Sequence, residues 1–365
     1  MNKVFIKAAC VLLMSVFTWE AFAQGSDPLY VEASELTLVG KLFPDTGNPY
    51  HRLDTTVYGG FTKSENLLSR ESSGISVAFR TNSKSIRILT RYGYKNFGTN
   101  ISGISQRGYD LYIRKDGKWL WAAAGVARDK ELDKPFTLIK NMDGSMHECL
   151  LYLPTFSEEY SVKIGVDAGS EISAMENPFR HRVGIFGSSF THGASTSKAG
   201  MAYPAIFTRD TGIQLLSLGV SGNSKLQPAF ARALADADVD AYIFDAFSNP
   251  SLEEISQRLF PFIETIQAKH PDIPLIFQKT IYRESRNFNT GNEKFESERI
   301  ELVEKLMKEA CRKYKNVYYI DCTNATSKEH DTSVDGTHPG DYGYFLWARS
   351  IEKPVLKILK KYGIK

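Results

Sequence analysis

The hydrophobic rhythm of this chain changes near residue 180, and that change limits the folds open to it more than any other feature. Beyond it, short apolar runs alternate with segments of helical spacing. The runs are "VGIFG" (183–187), "IQLLSLG" (213–219), "AYIFDA" (241–246), "PLIFQK" (274–279) and "VYYID" (317–321). Helices are expected to start near residues 200, 226, 251, 294 and 341. One of them, "SLEEISQRLFPFIETIQAKH", places apolar residues three and four apart behind an acidic first turn. Runs that are apolar throughout belong to strands covered on both faces, so residues 181–365 are expected to form an α/β domain with a five-stranded parallel sheet. In such sheets ligands bind beyond the carboxyl ends of the strands, so the residues just after each run are the ones to inspect.

Before residue 180 the period is two. "GISVAFRT", "SIRILTRY", "YDLYIRK", "KWLWAAA", "ECLLYLP" and "YSVKIGV" are separated by polar turns such as "TNSK", "KDGK" and "NMDGS", with no long helical pattern between them. This alternation predicts an all-β, jelly-roll-like antiparallel sandwich over residues 24–180. Residues 1–23 are expected to be a signal peptide. Lys3 and Lys7 precede an apolar stretch that ends at Ala21-Phe22-Ala23, so the mature chain is read as starting at Gln24 and being exported, either periplasmic or secreted. The alternative, a membrane anchor, is opposed by the shortness of the stretch and by Thr18 and Glu20 within it. After cleavage no membrane insertion is expected.

With 42% hydrophobic and 24% charged residues, the 365-residue chain has the composition of a folded protein. A net charge of +3 gives no footing for nucleic acid. Cys149, Cys311 and Cys322 follow the leader, an odd number with no zinc-like spacing; a Cys311–Cys322 bridge is left open.

The strand ends carry a recurring chemistry. "GSSFTHG" (187–193) follows the first run, "LGVSGNS" with Gly222 the second, and "FSNP" with Asn249 the third; "DGTHP" with Asp335 and His338 lies past the fifth. A hydroxyl becomes a nucleophile at neutral pH when a base takes its proton, a carboxylate fixes that base, and donors hold the developing oxyanion. Each residue also has a plainer reading. Ser189 suits a turn or helix cap, Gly222 a turn, and Asn249-Pro250 a helix start. His192, three residues from Ser189, is read as lining the site or capping a helix. His330, Asp331, Asp335 and His338 fit no common zinc motif.

Together these blocks resemble the SGNH (GDSL-like) esterases over roughly residues 182–362. "GSSFT" stands where that family has Gly-Asp-Ser-(Ile/Leu)-(Thr/Ser), which makes Ser189 the matching nucleophile and Ser188 a departure. "GVSGN" matches the second block and Asp335-x-x-His338-Pro339 the fourth. Asn249 stands in the third, where "FSNP" departs from the usual Gly-x-Asn-Asp. "GYDLY" (108–112) and "KWLWAAAG" are similar to the Gly-x-Asp-Leu-Tyr domain that precedes some bacterial members.

The resemblance implies a flavodoxin-like three-layer fold and a Ser189–His338–Asp335 triad. It also implies an oxyanion hole from the N–H groups of Ser189 and Gly222 and the side chain of Asn249, with no cofactor and no metal. The expected substrate is an acylated carbohydrate or other small ester. Tyr109 and Tyr112, with His192, are expected to contact it, the first domain forming a wall beside the cleft. A lipase or thioesterase, or a non-catalytic carbohydrate binder on the same scaffold, are the competing readings.

Overall fold

The computed structural model describes residues 27–322 and 325–365, so the expected leader lies outside the described residues. The first half contains strands β1 (Leu29–Glu32), β2 (Thr37–Val39), β3 (Ser76–Thr81), β4 (Ile86–Lys95), β5 (Tyr109–Lys115), β6 (Lys118–Gly125), β7 (Phe136–Ile139), β8 (His147–Tyr152), β9 (Ser157–Val166) and β10 (Ile172–Ala174). They form two antiparallel sheets. One has the order β1-β9-β4-β7; the other has the order β10-β3-β8-β5-β6, with β2 also on β3. The period-two pattern explains the packing. Val77, Phe79, Leu111 and Leu151 of the second sheet meet Ile86, Ile88, Val162 and Ile164 of the first in one fully buried core. Two short helices interrupt the strands, α1 (Lys63–Arg70) and α2 (Gly103–Arg107). A capping box opens α1: Thr62 accepts from the N–H of Glu65, whose side chain returns to the N–H of Thr62.

The second half alternates β11 (Arg180–Gly187), α3 (Ser189–His192), α4 (Tyr203–Thr211), β12 (Ile213–Gly219), α5 (Pro228–Asp236), β13 (Ala241–Asp245), α6 (Leu252–Gln267), β14 (Leu275–Gln278), α7 (Thr290–Lys313), β15 (Val317–Ile320) and α8 (Asp341–Lys360). The five strands are parallel, in the order β12-β11-β13-β14-β15. Phe186, Leu218, Phe244 and Phe277 pack against α5, α6 and α7; Ile185, Leu215, Ile243 and Ile276 pack against α4 and α8. The result is three layers. The order reverses at β11, which places a crevice at the carboxyl end of that strand.

The halves are bonded into one another. Arg52, fully buried, donates from Nε to the carbonyl of Glu71 at 2.6 Å and from Nη1 to the carbonyl of Gly219, at the end of β12, at 2.8 Å. Ser73 Oγ donates to the carbonyl of His192 at 2.6 Å. The first half is therefore more than a wall: it reaches the strand ends that carry the site. Cys149, Cys311 and Cys322 are all free thiols, so the bridge left open above does not form. Among the described residues no helix is long and apolar enough to cross a membrane.

Candidate active site

The turn after β11 is built around a buried carboxylate. Asp245, at the end of β13, accepts from the N–H of Ser188 at 3.1 Å, from its hydroxyl at 2.8 Å and from Thr191 Oγ1 at 3.1 Å. Burial pushes this carboxyl up to about 6, against the pull of those donors and of Arg283. Ser188 also caps α3, accepting the N–H of Phe190 at 3.2 Å. So the residue that departs from the family block is the turn's anchor, and Ser189 is left on the first helical position, 5% exposed. Close packing makes Gly219 obligatory beside it, since a Cβ there would lie 2.3 Å from the backbone nitrogen of His192.

His338 and Asp335 come from the loop between β15 and α8. Val334 donates to the carbonyl of His338 at 2.8 Å, and Gly340 to that of Thr332 at 2.8 Å, which closes the loop into a tight hairpin. Glu284 clamps its base, accepting from the N–H of Thr332 at 2.6 Å and of Ser333 at 2.7 Å. Within the loop, Asp335 Oδ1 accepts from the N–H groups of Thr337 (3.0 Å) and His338 (2.8 Å). Gly336 between them takes φ +81°, a conformation that favours glycine.

These elements bring three side chains into a chain of hydrogen bonds. Ser189 Oγ lies 2.9 Å from His338 Nε2, and His338 Nδ1 lies 2.8 Å from Asp335 Oδ2. With Asp335 ionised, Nδ1–H donates to it and Nε2 is left to accept from Ser189. Partial burial alone would raise Asp335. The backbone N–H and ring of His338, together with the amide of Asn100, outweigh it and hold the carboxyl well below its usual range. Phe190 packs edge-on to the His338 ring at 5.7 Å.

Two of the donors expected for an oxyanion are unpaired. Among the described residues no acceptor takes the N–H of Ser189 or of Gly222. Gly222 has φ +70° in the turn closed by Asn223 N–H to the carbonyl of Val220 at 2.9 Å. Asn249 Oδ1 accepts from the N–H of Ser224 at 3.2 Å, which turns Nδ2 the other way. Asn249 is not a helix cap: Ser251 caps α6, in a capping box with Glu254. The departing "FSNP" loop is held instead by Arg283 and Arg299, which donate to the carbonyl of Ser248 at 2.6 Å and 3.2 Å.

The three residues expected to touch substrate lie elsewhere. Tyr109 is fully buried in the sandwich core, with its hydroxyl 2.6 Å from Thr90 Oγ1. Tyr112, 5% exposed, lies under the guanidinium of Arg209 at 4.1 Å from ring centre. Its neighbour Asp110 accepts the N–H of Gly200 at 2.9 Å and the indole N–H of Trp121 at 3.1 Å, so the "GYDLY" motif fastens the two halves together. His192 is fully buried and stacked on Phe156 at 4.1 Å. Its Nε2–H donates to the carbonyl of Thr155 at 2.7 Å, with the buried Glu71 Oε2 3.0 Å from the same nitrogen, and Nδ1 accepts from the N–H of Ser221 at 3.4 Å. Burial, reinforced by the nearby Arg52 cation, holds it neutral, with a pKa well below the ordinary histidine value. It braces the Gly222 turn and offers no face to a ligand. Among the described residues no three His, Cys, Asp or Glu side chains gather in a metal-holding cluster.

Asp245, Arg283, Glu284 and Asn100 were not singled out from sequence. Only Asp245 carried a signal, as a carboxylate closing the apolar run "AYIFDA".

The strand order and the residues at its switch point define an SGNH-type carboxylic ester hydrolase. The chain belongs to the GDSL-like lipase/acylhydrolase family, whose pattern matches residues 180–357, and the pattern for the N-terminus of SGNH-type esterases matches residues 29–172. Among solved structures it is similar to a candidate GDSL-like lipase from Bacteroides ovatus at 37% identity, covering 92% of this chain and 98% of that one with a TM-score of 0.87. A salicylyl-acyltransferase of a tetracycline biosynthetic pathway shares the fold at 20% identity, 91% and 98% coverage and a TM-score of 0.66. So does a family two carbohydrate esterase from Clostridium thermocellum, solved with cellohexaose, at 14% identity, 80% and 94% coverage and a TM-score of 0.56. No curated protein matches the chain.

Proposed function

We propose that this esterase removes O-acetyl or other short acyl groups from carbohydrates outside the cytoplasm, by a Ser189–His338–Asp335 mechanism. The observation that carries the mechanism is the unbroken series Ser189 Oγ to His338 Nε2 at 2.9 Å and His338 Nδ1 to Asp335 Oδ2 at 2.8 Å. Ser189 Oγ attacks the ester carbonyl as His338 Nε2 takes its proton. Asp335 holds the ring in the right tautomer and offsets the charge of the imidazolium that forms. The N–H groups of Ser189 and Gly222 and Nδ2 of Asn249 receive the oxyanion. His338 then protonates the leaving alcohol. Water, activated by the same imidazole, releases the acid and restores Ser189.

The carbohydrate part of the proposal rests on analogy. The family two carbohydrate esterases share the arrangement of a β domain joined to this α/β fold. Export rests on the residues 1–23. Initial rates on 4-nitrophenyl acetate, 4-nitrophenyl palmitate, acetylated xylo-oligosaccharides and acetyl thioesters test it. Acetate release from the oligosaccharides should exceed the other natural-type substrates in kcat/KM. A preference for the palmitate or the thioester would replace the proposal with the lipase or thioesterase reading.

A further inference from the structure

The catalytic carboxylate has a hydrogen-bond donor from the other half of the chain. Asn100, between β4 and α2, donates from Nδ2 to Asp335 Oδ2 at 2.9 Å, across 235 positions of sequence. The assignment is unambiguous, because an ionised carboxylate accepts only and the amide must turn its nitrogen to it. Asp335 thus receives donors on both oxygens. Thr337 and His338 N–H groups occupy Oδ1, while the His338 ring and Asn100 share Oδ2.

The loop that presents Asn100 is held from behind. Gln106, buried on α2, donates to the carbonyl of Gly98 at 2.9 Å, and Arg107, also buried, donates to that of Asn96 at 2.9 Å. The Arg107 guanidinium covers the Phe97 ring at 4.2 Å. Ser102 caps α2, accepting the N–H of Ser105 at 3.0 Å, and its hydroxyl reaches across to the carbonyl of Ser197. Both sides of Asn100 are therefore fastened, one to the sandwich and one to the α/β half.

We propose that Asn100 is a positioning residue of the esterase, through which the first half of the chain sets the Asp335 carboxylate for His338. The proposal rests on the triad reading above. Asp335 can rotate about its side-chain bonds, and its Oδ1 contacts come from its own loop. Asn100 is the contact that comes from a separate body and fixes where Oδ2 stands. Since Oδ2 is also the atom that holds Nδ1–H, a displaced carboxylate lets the imidazole turn away from Ser189. Docking of the two halves then becomes a condition for full activity, although the sandwich supplies no reacting atom.

A double-mutant cycle tests this. Asn100→Ala should lower kcat on 4-nitrophenyl acetate about three- to tenfold with KM unchanged, the range expected for one hydrogen bond to a partly exposed charge. The same factor should appear in the rate at which a fluorophosphonate labels Ser189. Asn100→Asp, of the same shape, should lose more, because it sets an anion against Asp335. In the Asp335→Ala background, Asn100→Ala should have no further effect, since its partner is gone. Melting curves of all five proteins check that each folds.

An unchanged kcat in Asn100→Ala, a loss confined to KM, or an equal loss in the Asp335→Ala background would overturn the proposal. A wild type that turns over esters while Asn100→Ala does too, at the same rate, sinks this inference alone. A folded wild type that neither turns over nor labels sinks the triad reading, and this inference with it.

Discussion

Replacing Asn249 by two different residues separates a chemical role from a structural one. Its Oδ1 accepts the N–H of Ser224 at 3.2 Å, while the planar amide turns Nδ2 away from that contact. The backbone beneath it is fixed by Arg283 and Arg299 on the carbonyl of Ser248. If Nδ2 receives the oxyanion, Asn249→Ala removes one preformed donor. That costs about 2.7–4 kcal/mol in the transition state, a fall of roughly 10²–10³ in kcat with little change in KM. Asn249→Asp keeps the oxygen that serves Ser224 and keeps the shape, but places a carboxylate where negative charge develops. Its kcat should fall at least as far as that of the alanine variant. A residue that only braced Ser224 would give the opposite order, with the aspartate near wild type. Initial rates on 4-nitrophenyl acetate, taken with melting temperatures, read both effects. An Asn249→Asp enzyme within about threefold of wild type in kcat would refute the assignment.

Ser188→Ala should keep turnover within about tenfold of wild type, because the Ser189–His338 contact is untouched, yet lose roughly 1–3 kcal/mol of stability as buried Asp245 loses a donor; urea titration reads the loss, and an unchanged midpoint contradicts it. Glu159 in β9 is fully buried, with one oxygen unpartnered, and burial pushes its carboxyl up to about 8 despite the Ser157 and Ser72 hydroxyls. Its folded pKa lies above its unfolded value, so the folded state binds the proton more tightly. The stability it contributes is complete below the unfolded pKa and is lost as pH rises toward and through about 8. Glu159→Gln should therefore match wild type near pH 5 and exceed it near pH 9 by an amount on the order of 4 kcal/mol; parallel stability profiles would contradict this.

The sequence carried those parts of the molecule that are local. The run "IQLLSLG" is β12 residue for residue, and "YDLYIRK" is β5, because an apolar stretch bounded by turn residues is specified by its own pattern. The four blocks were legible for the same reason, since each is a short local pattern, three of them just past a strand end and the fourth in the loop between β15 and α8. The period-two pattern around it does not mark the eight-residue α1, although the Thr62-x-x-Glu65 signature of its capping box is present in the sequence. What could not be read was tertiary. Nothing local marks Asn100 as a partner of Asp335, or Arg52 as a donor to Gly219. The aromatic "GYDLY" motif suggested an exposed binding face, whereas Tyr109 fills the sandwich core and Asp110 and Tyr112 hold Gly200 and Arg209. His192 was ambiguous for a related reason: the surrounding Glu71, Thr155, Phe156 and Ser221, distant in sequence or silent in pattern, decide that it is a buried brace.

The atom that attacks the ester decides the mechanism, and covalent trapping reads that atom directly. Wild-type protein treated with a fluorophosphonate, digested and sequenced by mass spectrometry should carry the adduct on Ser189. Labelling should disappear in Ser189→Ala and be strongly slowed in His338→Ala, while Ser188→Ala should label normally. An adduct on Ser188, or a folded wild-type protein that takes no label, would contradict Ser189 as the nucleophile.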